Sequence, residues 1–280
     1  MRNWKIAALL GLFLVAGATH ALGPGGVRKQ AEASMLVRGT LDITPDGRVS
    51  SHQLDGADKL PSGVVKLLAE RIAQWQFEPV LVDNRAVPAR SPMQLRLVAK
   101  RDGDNYLLRI AGATFGAPPE GEWPSSQGKL APPRYPKEAA YAGVSGTVYL
   151  VLRVGRDGRV EDTVAEQVNL RFVASEGAMT RWRALLANAA ASTAKDWKFS
   201  PPTRGEEVDA PFWSVRVPVD FTFDMKEGKA GEWLAYVPGP RQPVPWRTWD
   251  DARLSPDAVA AGGVYPDRPT GPRLLTPLGG

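Results

Sequence analysis

"KDWKFSPP" at residues 195–202 has a near double in "AQWQFEPV" at residues 73–80. Each reads Trp, any residue, Phe, any residue, Pro. Neither phrase holds a side chain that exchanges a proton near neutral pH, so the repetition concerns fold rather than chemistry. The likeness continues upstream, where "LDITPDGRV" (41–49) stands against "LRVGRDGRV" (152–160). Asp46-Gly47 and Asp157-Gly158 are turn dipeptides set between alternating apolar residues, the pattern of a hairpin. Val148, Leu150, Leu152 and Val154 alternate with Tyr149, Val151 and Arg153, which predicts a strand with one buried face.

Between hairpin and Trp each copy carries a helical pattern. In the first, Pro61 suits an opening turn, and Val64, Leu68, Ile72 and Trp75 recur at steps of three and four. In the second, Trp182, Leu185, Leu186, Ala189 and Thr193 do the same up to Trp197. Alternating strands close both copies, with Met93, Leu95 and Leu97 in one and Val215, Val217, Val219, Phe221 and Phe223 in the other. Trp75 follows Gly47 by 28 residues and Trp197 follows Gly158 by 39, so a longer loop is expected in the second copy, around residues 165–178. The fold class is therefore α+β, with two tandem modules, each a small antiparallel sheet packed against one helix. The Trp and Phe of each phrase are expected in the core where helix gives way to sheet.

Just before the second module stands "PPRYPKEAAYAGVSGTVYLVLRVGRDGRV", residues 132–160. Tyr135-Pro136, Ala139, Gly143, Gly146, the alternating strand, Asp157-Gly158, Trp197-x-Phe-x-Pro201 and the closing "VRVPVDFTF" (215–223) follow in that order. This arrangement, over about residues 130–224, resembles the C-terminal domain of TonB, the periplasmic energy transducer. Residues 36–100 resemble a degenerate relative: they keep "TPDGRV" and "WQFEP" but have Arg28-Lys29 where the second copy has Tyr135-Pro136. The resemblance implies capture of an extended segment of an outer-membrane receptor, or of another envelope protein, by strand addition to a sheet edge. It implies that Pro133, Arg134, Tyr135 and Pro136, with Val215, Arg216, Val217, Pro218 and Val219, line the docking edge. Pro218 fits an open edge, since proline cannot donate to a ladder; it either marks the docking edge or guards that edge against aggregation. A homodimer is a further partner arrangement left open. The rival reading is a structural envelope module that keeps the fold without receptor coupling.

The N-terminus points to the compartment. Arg2 and Lys5 flank a basic start, Ile6 to Val15 is apolar, and Ala16-Gly17-Ala18 and Thr19-His20-Ala21 are small-residue triplets. That is the layout of a secretory signal, with cleavage after Ala18 or Ala21 and periplasmic delivery. The alternative is an uncleaved inner-membrane anchor facing the periplasm, and only then are inner-membrane motor proteins expected as partners. Loss of residues 1–21 takes the chain from a net charge of +5 to +3, too balanced to suggest a nucleic-acid partner. The expected organisation is a signal peptide at 1–21, a degenerate module at 36–110, a linker at 111–128, a TonB C-terminal-like domain at 129–224 and a Pro/Gly-rich tail at 225–280. Trp233, Tyr236, Trp246 and Trp249 lie in that tail, as does a short helical pattern near Ser255 to Ala261.

Nothing in the sequence suggests an enzyme. There is no cysteine, and His20 and His52 are the only histidines, the first within the signal. His52 has Asp55 and Asp58 nearby, but no Gly-x-Ser-x-Gly elbow and no Gly-x-x-x-x-Gly-Lys loop accompanies them. Glu206-Glu207 lies in a turn-like stretch. Neither a metal nor another cofactor is expected.

Overall fold

The computed structural model describes residues 22–223, 231–248 and 255–279. Residues 1–21, expected as a signal peptide, and Trp249 lie outside them. No helix among the described residues is long and apolar enough to cross a membrane.

The first unit opens with a short helix α1 (Pro24–Arg28), then β1 (Glu32–Ile43), β2 (Val49–Leu54) and helix α2 (Ser62–Ile72). A small hairpin, β3 (Leu81–Val82) and β4 (Arg85–Ala86), leads to the long strands β5 (Ala89–Asp102) and β6 (Asn105–Phe115). The sheet runs β2-β1-β5-β6, antiparallel throughout. Met35, Val37, Leu41 and Ile43 of β1 and Met93, Leu95 and Leu97 of β5 face Val64, Leu68 and Ile72 of α2. These alternating positions make one core, because a strand sends every second side chain to the same face.

The second unit has β7 (Ser125–Ser126), α3 (Lys137–Tyr141), β8 (Gly146–Gly155), β9 (Val160–Leu170), α4 (Glu176–Ala194), β10 (Phe199–Ser200) and β11 (Phe212–Phe221). Here β11 pairs with β8, and β8 with β9. Two short strands of the tail complete the sheets: β12 (Leu234–Tyr236) on β1 and β13 (Tyr265–Pro266) on β11. The overall class is α+β with antiparallel sheets.

Trp75, Phe77, Trp197 and Phe199 are all buried. Each Phe backbone is tied to the Asp-Gly turn of its own hairpin. The Phe77 amide donates to the Gly47 carbonyl at 2.7 Å, and the Phe199 amide to the Gly158 carbonyl at 2.8 Å. Gly47 has φ +83° and Gly158 φ +76°, and a Cβ at either would stand 2.0 Å from the carbonyl oxygen of that Phe. Turn and phrase are thus halves of one contact, which explains why the sequence repeats them together.

Several expectations change. The 11 additional residues in the second copy do not form a loop at 165–178. The second copy has a strand of 11 residues instead of 6 and a helix of 19 instead of 11, and the stretch between them is two residues shorter, 171–175 against 55–61. Helix α4 buries Met179, Leu186, Ala190 and Ala194, with Trp182, Leu185 and Ala189 on the flank of that stripe. Strand β8 has two buried faces, since Tyr149 and Val151 are covered as well as Val148, Leu150 and Leu152. Residues 111–115, expected in a linker, extend β6, and the remainder of that stretch packs on the second unit. There Ser125 and Ser126 pair with β10, and the Gln127 amide donates to the Lys198 carbonyl. Residues 255–261 form turns rather than a helix, with Asp257, Ala258 and Val259 buried.

The second face is met by Asp257 of the tail and Arg96 of β5, whose charges act on the buried Tyr149 phenol, and the tail closes the edge of the sheet. The Val237 amide donates to the Leu170 carbonyl at 2.7 Å and the Gln242 amide to the Glu166 carbonyl at 2.7 Å, which closes the outer edge of β9. Asp257 joins the units: Arg96 of β5 approaches it at 2.7 Å, and the Asn169 Nδ2 of β9 donates to it at 2.8 Å.

Candidate partner-binding edge

Pro133 to Pro136 approach the far end of β11. Pro133, Tyr135 and Pro136 are half-buried and Arg134 is exposed. Pro136 is the N-cap of α3, and its extended backbone follows from its ring. The Tyr135 hydroxyl donates to the Val144 carbonyl at 2.6 Å, while its ring meets Phe221 edge-on and stacks on Phe223. Burial pushes the Tyr135 phenol up to about 12, so it stays a hydrogen-bond donor through the physiological range. Tyr135 thereby fixes the loop against the C-terminal end of β11.

Strand β11 alternates between two environments. Val215, Val217 and Val219 enter the core beneath α4. Ser214, Arg216, Pro218 and Asp220 take the opposite face by the two-residue repeat. Pro218, read from the sequence as the mark of an open edge, is buried. The free side of β11 is occupied by the tail: Val215 pairs with Pro266 and Arg216 with Tyr265. The Asp267 amide donates to the Ser214 carbonyl at 3.2 Å and the Gly262 amide to the Pro218 carbonyl at 3.3 Å. Pro218 stands on the tail side of the strand, where its lack of an N–H fits a neighbour that pairs irregularly there. The structure brings Val215 to Val219 into one edge and leaves Pro133 and Arg134 beyond its end, near Phe221 and Phe223.

Arg216 is the centre of the buried polar face. Its side chain is 2 % exposed, with Glu166 at 2.7 Å and Asp267 at 2.9 Å. Glu166 also meets Arg247 at 2.7 Å and Arg241 at 2.9 Å, and Arg247 pairs with Asp267. The Ser214 Oγ donates to Asp267 at 3.0 Å and accepts from the Trp246 indole at 3.0 Å. Glu166 falls at a register shift of β9, with Gln167 opposite Tyr149 and Ala165 opposite Leu150, so it has no cross-strand partner on β8. Such a bulge re-aims a side chain. Burial alone would raise the Glu166 carboxyl, but hydrogen bonds from Arg247 and Arg216 and their charges outweigh it and bring it down to about 2. Each buried charge faces an opposite one; the third arginine, Arg241, is partly exposed, and the Arg216 Nε is left without a hydrogen-bond partner.

Sequence reasoning named Arg216 but missed Glu166, Asp267, Arg247 and Arg241. The available signal was Arg216 itself, an ionised residue in the otherwise apolar "SVRVPV" (214–219), which demands a buried anion from another segment. Which anion could not be read, because Asp267 lies 51 residues further on.

No curated protein and no solved structure matches the chain. Residues 131–223, a third of the chain, match the family described as Gram-negative bacterial TonB protein C-terminal. That stretch, from the segment before Tyr135 to the end of β11, is a domain of the TonB C-terminal family.

Proposed function

We propose that this TonB-like envelope protein acts in the periplasm by binding an extended segment of an outer-membrane receptor or another envelope protein as an added strand on β11, in the service of transport across the outer membrane. One observation carries the reading: the Ser214–Val219 side of β11 accepts an extended segment, Gly262–Asp267, with paired main-chain hydrogen bonds. An edge that holds one extended peptide in register has the geometry to hold another. The first unit, in this reading, is a degenerate tandem relative that serves as a packing partner, since the same flank of its β5 is filled by β6. The protein works by binding and not by catalysis.

A second reading is a structural envelope module without receptor coupling. It is favoured by the way the tail covers the outer edges of both β9 and β11. Amide chemical-shift mapping on residues 22–280 separates the two, with peptides taken from the N-terminal segments of receptors as titrants. Shifts at Arg134–Lys137 and Val215–Val219 are the expected result. If no receptor segment moves these amides, even with the tail displaced, the structural reading replaces the transport one.

A further inference from the structure

The corresponding flank of the sheet is closed in very different ways in the two units. In the first, β6 follows β5 through a tight turn and pairs with it from Met93 opposite Phe115 to Asp102 opposite Asn105. In the second, β11 is met by only two paired residues, Tyr265 and Pro266, flanked by the two hydrogen bonds from Gly262 and Asp267. The first closure is a continuous ladder. The second is a short graft from a distant segment.

One buried carboxylate anchors the graft on the Arg216 face, and Arg268, next in the chain, pairs with Glu207 at 2.7 Å. Asp267 is 1 % exposed and faces Arg216, Arg247 and the Ser214 hydroxyl. Glu166, also fully buried, holds the same two arginines from the other side and comes from β9, not from the tail. Withdrawing residues 262–267 would therefore leave Arg216 with Glu166 still in place and a vacant position for a second anion. Val264 adds an apolar contact, packing against the core of the second unit. The site reads as a main-chain edge, a small apolar contact and a carboxylate position opposite Ser214.

We propose that Gly262–Asp267 is a tethered stand-in for the partner strand: it keeps the β11 edge closed, and the segment that replaces it is an extended peptide carrying a carboxylate in the Asp267 position. This rests on β11 being the edge where partners add, but not on the partner being a transport receptor. A tethered segment acts at an effective concentration of ~mM, so a free peptide of equal intrinsic affinity competes poorly at micromolar concentration. The resting protein is closed, and opening requires the Asp267 contact to be weakened or outbid.

The test uses the chain from Leu22 to Gly280 and a fluorescent peptide copying residues 260–270. Asp267→Lys sets a third cation beside Arg216 and Arg247 and should expel the segment. Hydrogen exchange at Ser214–Val219 should then accelerate while β8 and α4 stay protected. The peptide should bind this variant at least about tenfold more tightly than the unaltered chain. A peptide with Asn in place of the Asp267 copy should lose most of that gain. Equal binding to both proteins overturns the proposal, and so does loss of protection throughout β8 and α4, which would make the segment an inseparable part of the core. A second variant does not depend on repulsion. Val215→Cys with Pro266→Cys joins directly opposed residues whose antiparallel spacing suits a disulfide, in a chain that otherwise has no cysteine. Combined with Asp267→Lys, the oxidised form should refuse the peptide and the reduced form accept it; peptide binding to the oxidised form counts against the stand-in. If the copied peptide binds the opened protein but receptor segments do not, the stand-in holds and the transport reading fails. Receptor segments that bind while Tyr265 and Pro266 remain paired would do the reverse.

Discussion

The two units solve the same local problem with different pieces of chain. In each, the short extended stretch after the Trp, β10 in the second unit and isolated bridges at Gln76 and Phe77 in the first, is flanked on one side by its own Asp-Gly turn. On the other side the second unit uses residues just before its own sheet: Ser126 pairs with Phe199, and the Trp197 indole donates to the Ala131 carbonyl at 2.9 Å. The first unit borrows from the far end of the tail: Leu274 bridges to Phe77, and the Trp75 indole donates to the Leu278 carbonyl at 3.4 Å. A third neighbour for this stretch is thus a requirement of the geometry, and the chain meets it from whichever segment is at hand. The lesson is that the boundary of a unit in space need not be its boundary in sequence.

The largest expected effect probes the shared core. Trp197→Ala and Trp75→Ala should each cost ~3–5 kcal/mol, the range for truncating a buried large aromatic. Because the tail pairs with β1, β9 and β11 and carries Asp257 between Arg96 and Asn169, calorimetry should show one joint transition in both variants. Two well-separated transitions would show that the tail does not couple the units. Next come the turn glycines. Gly158→Ala and Gly47→Ala combine a left-handed backbone with a blocked Cβ position, and each should lose at least ~1–3 kcal/mol in chemical denaturation. A large loss at one and none at the other would break the equivalence of the two turns.

A smaller effect separates the units by pH. Glu166 belongs to the second sheet, and its folded-state carboxyl lies at about 2 against an ordinary value of 4.5. A carboxyl lowered on folding stabilises fully above its unfolded value and loses that contribution as pH falls toward its folded one. Acidification from pH 4.5 to 2 should therefore loosen the Arg216 face, read as a red shift of Trp246 emission, ahead of any change at Trp75. Glu166→Gln should remove this pH dependence and destabilise the protein at pH 7. The smallest effect is Arg134→Ala. Its side chain is exposed and beyond the end of the β11 edge, so partner binding should weaken by no more than ~1 kcal/mol, measured by titration.

Much of the fold was legible because its signals are local. Val64, Leu68 and Ile72 mark a helix face, Met93, Leu95 and Leu97 a strand face, and Asp-Gly a hairpin, each within a few residues. The positions that escaped are those fixed by distant chain. Val151 and Tyr149 look like the outward residues of an amphipathic strand, yet both are buried, Tyr149 beside Arg96 of β5 and Asp257 of the tail. Pro218 looks like the guard of an open edge until Gly262 and Tyr265 arrive beside it. Asp267 and Glu166 are ordinary acidic residues in sequence, and only the sheet and the tail together bring them to Arg216. The sequence named β11 as the edge for partners but not the tail that covers it, since pairing of two residues carries almost no compositional signal.

The bond from Trp75 to Leu278 bears on the order in which the protein matures during synthesis. Chains emerge from the ribosome N-terminus first, and early domains commonly fold as they appear. Here the earlier unit lacks the neighbour of its Phe77 stretch until residues 273–278 have been made, whereas everything that flanks Phe199 precedes it or accompanies it. The Trp197–Phe199 region is therefore expected to settle before the Trp75–Phe77 region, while the Arg216 face of the second unit and the helix α2 side of the first both wait for the tail. Chaperone dependence and early proteolysis should concentrate on residues 32–115 of nascent chains. They should end only when the final segment closes over Trp75.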